Sequence, residues 1–152
     1  MGVRASPQPL FGDQLALARL VWVRRMRGEL VRRGFEDFRR SDTVVLRSLL
    51  DRPLSIVALA RILGVARQAA RKFADGLERR GYATVVNDED DARRLRVILS
   101  PEGRRYATAV VEVVAMMNCE IELRTDPGQL QAARAVLQTV IDSDNLVSGA
   151  SN

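Results

Sequence analysis

Residues 54–82, LSIVALARILGVARQAARKFADGLERRGY, carry the reading from which the rest of the chain follows. Ser55 is a good N-cap for a first helix in which Ile56, Leu59, Ala60 and Leu63 recur at helical spacing. Gly64 stops that helix, as a left-handed C-terminal residue does. After Val65 and Ala66 a second helix places Ala70, Phe73, Ala74 and Leu77 on one face, and Gly81 closes it. Its opposite face holds Arg67, Gln68, Arg71, Lys72, Asp75 and Glu78, with the basic and amide groups gathered in the first turns. A recognition helix needs that distribution, because it enters the major groove by its N-terminal end. Ala60, Gly64 and Ala70 are small where two helices cross closely behind a three-residue turn. The competing reading of this stretch is a helical hairpin with a solvated charged face.

The next residues favour the first reading. Ala83–Val86 is a short strand pattern, Asn87–Asp91 (NDEDD) a polar turn, and Leu95–Leu99 (LRVIL) a second β-rich run, with Arg93 and Arg94 between them. Two helices followed directly by a ribbon with arginines at its tip make a winged helix, whose wing reaches phosphates or the minor groove.

Residues 54–103 resemble the MarR family of winged-helix transcriptional regulators. The family's wing reads as an acidic turn, Asp-Arg-Arg, a β run ending Val-x-Leu-Thr, and x-x-Gly opening a long helix. Here Asp91-Ala92-Arg93, Val97-Ile98-Leu99-Ser100 and Pro101-Glu102-Gly103 fall on that pattern in order. Ala92 stands where an arginine is usual, Ala66 where a capping serine is frequent, and Ala58 where a glutamate is frequent. Loss of a cap of this kind costs about 1 kcal/mol.

With 152 residues the chain has the length of one domain. An apolar share of 47% with 28% charged residues is that of a soluble globular protein. No apolar run approaches a membrane span, and the opening MGVRASPQPL lacks the apolar core of a signal peptide, so a cytoplasmic location is expected. Cys119 is the single cysteine and there is no histidine. That excludes a tetrahedral zinc site of the usual ligands and the common histidine-based catalytic arrangements, so no metal, no cofactor and no enzyme activity are expected. Cys119 reads as a small buried hydrophobe.

Charge is unevenly placed. Residues 1–40 hold nine Arg against four acidic residues and residues 55–100 nine basic against six, whereas residues 101–152 hold four against seven. Basic surface thus lies in the first two thirds, as expected if one side faces a polyanion.

Taken in order, Met1–Pro9 reads as a mobile arm, and Phe11–Arg33 as a long helix with Leu15, Ala18, Trp22, Met26 and Leu30 along one stripe, stopped by Gly34. A helix capped by Ser41 or Asp42 follows and ends at Pro53. Pro101–Arg124 reads as one helix so apolar between Tyr106 and Met117 that it must be covered on more than one side, by its own domain and by a second subunit. Thr125 or Asp126 caps a last helix with Leu130, Ala133, Val136, Leu137, Val140 and Ile141 as its apolar stripe, and residues 143–152 read as a mobile tail. The expectation is a mainly α fold with a small β wing (α+β). It is a single winged helix-turn-helix domain, with residues 41–100 binding DNA and residues 10–34 and 101–142 forming a homodimer.

The functional expectation is a sequence-specific transcriptional regulator, a repressor, that binds a pseudo-palindromic operator in double-stranded DNA as a homodimer. Arg67 and Gln68 are the candidates for base edges, and Arg71 and Lys72 for phosphates. Arg93 is assigned to the wing tip, oriented by Asp91, with Arg94 and Arg96 as supporting phosphate contacts. The resemblance further implies release of DNA by a small aromatic or anionic effector. The matching region would be lined by Trp22, Met26, Phe35, Phe38, Tyr106 and Met117, for which ordinary core packing is the competing reading. The rival function is a winged-helix protein-interaction module or corepressor that does not bind DNA, since the acidic turn Asp88–Asp91 opposes phosphate.

Overall fold

A computed structural model describes residues 10–88 and 94–149, with side chains as far as residue 143. Helix α1 (Phe11–Arg32) and α2 (Asp42–Asp51) come first, followed by strand β1 (Leu54–Ser55) and helices α3 (Ile56–Leu63) and α4 (Arg67–Arg79). Strands β2 (Ala83–Asn87) and β3 (Leu95–Leu99) lead to helices α5 (Pro101–Glu122) and α6 (Pro127–Gly149). The architecture is the expected winged helix, mainly α with a small sheet. Residues 1–9, read as an arm, and the wing-tip positions Asp91, Ala92 and Arg93 lie outside the described residues. Among the described residues no helix is long and apolar enough to cross a membrane.

Three helices end by one device. Gly34, Gly64 and Gly81 adopt φ of +91°, +65° and +77°, and the next residue's N–H reaches back to a carbonyl of the last turn: Phe35 to Leu30 at 2.9 Å, Val65 to Ala60 at 3.1 Å, and Tyr82 to Leu77 at 2.9 Å. Glycine takes the left-handed conformation without strain, and the returning bond satisfies an orphan carbonyl. At the ends of α1 and α4 the residue after the glycine is aromatic and buried, as are Leu30 and Leu77, so each stop also folds the chain back onto the core.

The sheet is antiparallel in the order β1-β3-β2. Val97 faces Leu54 on one side and Val85 on the other, and Ala83 pairs with Leu99. The third strand, β1, is absent from the sequence reading because two residues are too few to show a period.

The chain divides into two compact units, residues 1–113 and 114–152. In the first, Leu30, Val45, Leu46, Leu59, Leu77, Val97, Tyr106 and Val110 are fully buried. In the second, Asp126 caps α6, its Oδ1 accepting from the Gly128 N–H at 2.8 Å. The helix continues to Gly149, past its expected end, because no proline or glycine interrupts residues 142–148. Apart from half-buried Leu130, every described side chain of α6 is exposed, including Val136, Leu137, Val140 and Ile141. Cys119, expected to be buried, is exposed.

Gly103 stands at a close backbone approach. Its N–H donates to Ser100 Oγ at 2.9 Å, capping α5, while Ser100 Oγ donates to the Gly81 carbonyl at 2.5 Å. A Cβ at Gly103 would stand 1.7 Å from the Tyr82 carbonyl oxygen. Gly103→Ala is therefore expected to cost about 3 kcal/mol or more, lowering Tm by roughly 10 °C. Gly12→Ala, which meets nothing within 4 Å, should leave Tm unchanged or slightly raised. Thermal unfolding by circular dichroism of the two variants checks the contrast.

Candidate nucleic-acid interface

The Ser55 hydroxyl accepts from the Ala58 N–H at 3.1 Å and caps α3 as its sequence position suggested. Ala66 begins α4 in extended conformation with no side-chain cap. The first N–H groups of α4 are left for water or an anion, and the helix dipole favours the anion. Arg67, Gln68 and Lys72 are exposed there, and Ala70, Ala74 and Leu77 on the opposite face are buried. Arg71 is half-buried, its Nε 2.8 Å from Asp75 Oδ1 one turn on.

The ribbon is attached directly to this helix. Glu78 Oε1 accepts the Val85 N–H at 2.9 Å, and the Asp88 N–H donates to the Arg94 carbonyl at 2.8 Å where the ribbon leaves its ladder. Arg94 is exposed, and Arg96 Nε lies 3.6 Å from Asp88 Oδ2. Between the helix and the ribbon is a notch of about 500 Å³ lined by Ile56, Arg67, Gln68, Arg71 and Leu95. A second concavity of about 360 Å³ shares Ile56, Arg67 and Leu95 and adds Ser55, Val57, Asp88 and Arg94. Arg67, Gln68, Arg71 and Arg94 thereby line two adjoining concavities that share Arg67, with Lys72 exposed on the same helix and Arg96 half-buried on β3. Asp91 and Arg93 lie outside the described residues.

At the other end of α4 is a cluster that the sequence reading missed. Asp42 is fully buried. Arg80 donates to it through Nη1 to Oδ1 at 3.2 Å and Nη2 to Oδ2 at 2.6 Å, and to Asp37 through Nε to Oδ2 at 2.6 Å and Nη2 to the backbone carbonyl at 3.2 Å. Tyr106 and the Arg39 N–H each donate to Asp42 at 3.1 Å, and Tyr82 donates to Asp37 at 2.7 Å. The Tyr106 ring stacks on Phe35 at 4.6 Å and tilts against Tyr82 at 4.7 Å, while the Arg80 guanidinium lies 5.0 Å from the Tyr82 ring centre. Partners some 40 residues apart give no sequence signal. Asp42 had served only as a candidate helix cap.

Burial pushes the Asp37 carboxyl up, but hydrogen bonds from Arg80 and Tyr82 and the charge of Arg80 outweigh it and hold the group below its ordinary value. Burial pushes both phenols up, and Asp37 beside Tyr82 and Asp42 beside Tyr106 push further the same way. Burial alone would lower Arg80, yet the two carboxylates raise it above the ordinary arginine value.

Of the six effector candidates, Met26, Phe35, Phe38 and Tyr106 are buried in the first unit, Trp22 is half-buried, and Met117 is buried and belongs to the second. Phe35 also walls a concavity of about 530 Å³, with Arg33, Pro101, Arg104, Arg105, Thr108 and Glu112. Arg33 pairs with Glu112 across it. Among the described residues no group of three or more His, Cys, Asp or Glu could hold a metal ion.

No protein-family model matches the sequence. The chain is 32% identical over 132 residues to uncharacterized proteins of Mycobacterium tuberculosis and Mycobacterium bovis, covering 87% of this chain and 90% of each relative. Among solved structures it is similar to a probable transcriptional regulator from Pseudomonas aeruginosa, with a TM-score of 0.68 at 20% identity over 86% of this chain and 96% of that one. It is also similar to the heme sensor protein PefR from Streptococcus agalactiae, with 0.66 at 17% over 91% and 95%. A mutant MarR from E. coli gives 0.63 at 17% over 90% and 99%.

The chain's only two tyrosines, Tyr82 and Tyr106, both sit in the Arg80 cluster, so tyrosinate absorbance reports on that cluster alone. A phenol pKa raised above its unfolded value of about 10 contributes stability that is complete below pH 10 and is lost as pH rises through the folded value. Native protein titrated with base should show no tyrosinate band through pH 10. Both phenols should then ionise together as the fold opens, while a urea-unfolded control titrates normally; a native titration matching the control would refute the burial of both hydroxyls.

Proposed function

The chain belongs to one family with the mycobacterial proteins it matches and has the MarR-type winged-helix fold, and we propose that it is a sequence-specific DNA-binding transcriptional regulator acting as a homodimer. The observation that carries this reading is the exposed N-terminal end of α4, where Arg67, Gln68 and Lys72 are presented beside the ribbon. Arg67 suits guanine and Gln68 adenine in the major groove, whereas Lys72, Arg71, Arg94 and Arg96 suit phosphates. Arg93, oriented by Asp91, is proposed to reach the minor groove from the wing tip.

The dimer is supported by apolar surface that a lone chain leaves wet. Leu17 and Leu20 on α1 are exposed, and so, in the second unit, are Val136, Leu137, Val140 and Ile141 on α6; exposed apolar clusters of this kind mark interaction surfaces. Two such subunits would place two reading helices one helical turn apart on an inverted repeat, and occupancy near a promoter would repress transcription. Release by a small aromatic or anionic effector is supported by the concavity beside Phe35, where apolar walls stand with Arg33, Arg104 and Arg105.

Selection from a randomised duplex pool should enrich an inverted repeat, with affinity falling steeply as salt rises. Arg67→Ala should lose about 1 to 3 kcal/mol on the selected site and relax its sequence, whereas Lys72→Ala should weaken all sequences alike and reduce the salt slope by about 1. No enrichment would favour the protein-interaction or corepressor reading. In analytical ultracentrifugation the wild type should sediment as a dimer, and the Leu137→Glu, Val140→Glu double variant should shift towards monomer; a wild-type monomer at micromolar concentration would remove the dimer from the reading.

A further inference from the structure

A 13-residue helix is about 20 Å long, so a tilt of about 10° about one end moves the other by roughly 3 Å, which exceeds what a hydrogen bond tolerates. The end of α4 that would read bases carries no side-chain cap and projects outward. Its direction is therefore decided by the packed face of the helix and by what holds its far end.

That far end is held by Arg80. Its planar fork engages two carboxylates from different places in the fold, Asp37 in the link between α1 and α2 and Asp42 at the start of α2. The acceptors are themselves oriented, Asp37 by the Tyr82 hydroxyl and Asp42 by the Tyr106 hydroxyl and the Arg39 N–H. Arg80 is 12% exposed and Asp42 0%, so salt and water loosen that half of the grip little, whereas Asp37 is 44% exposed. Buried ion pairs are poor stabilisers compared with apolar packing. What a bidentate guanidinium gives that packing does not is a direction.

We propose that Arg80 is the positioning residue of the reading helix, setting through Asp37 and Asp42 the angle at which Arg67 and Gln68 meet a duplex. This rests on the DNA-binding reading above. It separates specific from general affinity, because a mis-tilted helix still offers its positive charge to phosphates but misses the base edges.

The test compares full-length wild type with Arg80→Lys, which keeps the charge and loses the fork, and with Asp37→Asn, which loosens only the more exposed half of the clamp. Each is measured on the operator obtained by pool selection, on a scrambled duplex of equal length, and by hydrogen exchange along α4. Arg80→Lys should lose about tenfold or more of its preference for operator over scrambled duplex while binding the scrambled duplex within about twofold of wild type. Asp37→Asn should lose about threefold of the preference. In both, amides of α4 from Ala70 to Leu77 should exchange faster while those of the Tyr106–Val113 stretch of α5 do not. An unchanged preference in folded Arg80→Lys overturns the proposal, and should that variant not fold, an unchanged preference in Asp37→Asn overturns it. If the wild type itself selects no sequence, the DNA reading fails, and α4 exchange then decides the clamp alone, with unchanged protection in both variants overturning it.

Discussion

A carboxylate that gives up all its water must find its hydrogen bonds inside the protein, and at Asp42 that requirement organises half the fold. The donors it has gathered come from the α1–α2 link (Arg39), the end of α4 (Arg80) and the first half of α5 (Tyr106). Each of those groups is held in turn. Arg80 extends to Asp37, Asp37 accepts from Tyr82 at the entrance to β2, and Tyr106 stacks on Phe35 just after the turn that ends α1. One buried charge thus brings α2, α4, β2 and α5 to a common point. Removing Arg80 would leave the Asp42 charge desolvated and unpaired, which is far more costly than the pair is worth in net stability.

The wing is fixed to that scaffold by short backbone devices. Gly81 turns the chain out of α4, Ser100 bridges the Gly81 carbonyl and the Gly103 N–H, and the missing side chain of Gly103 lets α5 start against the Tyr82 carbonyl. Glu78 ties β2 back to α4. The ribbon, α4 and the start of α5 therefore keep one geometry, and on the proposed reading a duplex would meet a surface already shaped.

How much of this could be read from the chain depends on how local each cause is. Ser55, Gly64 and Gly81 act within a turn of themselves, and Ile56, Leu59, Ala70, Ala74 and Leu77 declare their face by spacing, so the helix pair and its exposed basic face were readable from the sequence. The ribbon was readable because Val85, Val97 and Leu99 stand in β-rich runs flanked by polar residues. The Arg80 cluster was not. Its partners lie at separations of 38, 43 and 64 residues, and nothing around Asp37, Asp42 or Tyr106 announces a pairing. The aromatic residues at helical spacing show the same limit from the other side: spacing leaves pocket lining and core packing both open for Phe35 and Tyr106, and in the fold they use their faces on one another. Only Phe35 among the six also borders the concavity beside α5.

The charges on the proposed interface are unequal in what they have left to give. Among the described residues Arg67, Gln68 and Lys72 are exposed and their side chains carry no hydrogen bond or ion pair, whereas Arg71 is held by Asp75 and Arg96 lies near Asp88. A phosphate approaching Arg71 or Arg96 has to compete with a carboxylate already in place, and a half-exposed pair of this kind, still screened by solvent, is worth on the order of 1 kcal/mol. The competition is winnable but reduces the gain, and the acidic residues that impose it also repel the backbone they flank. Contact energy is thereby shifted away from general attraction and onto the unengaged Arg67 and Gln68. For a chain with net charge +5, whose basic surface would otherwise hold any duplex, that shift favours discrimination between sequences over affinity for all of them.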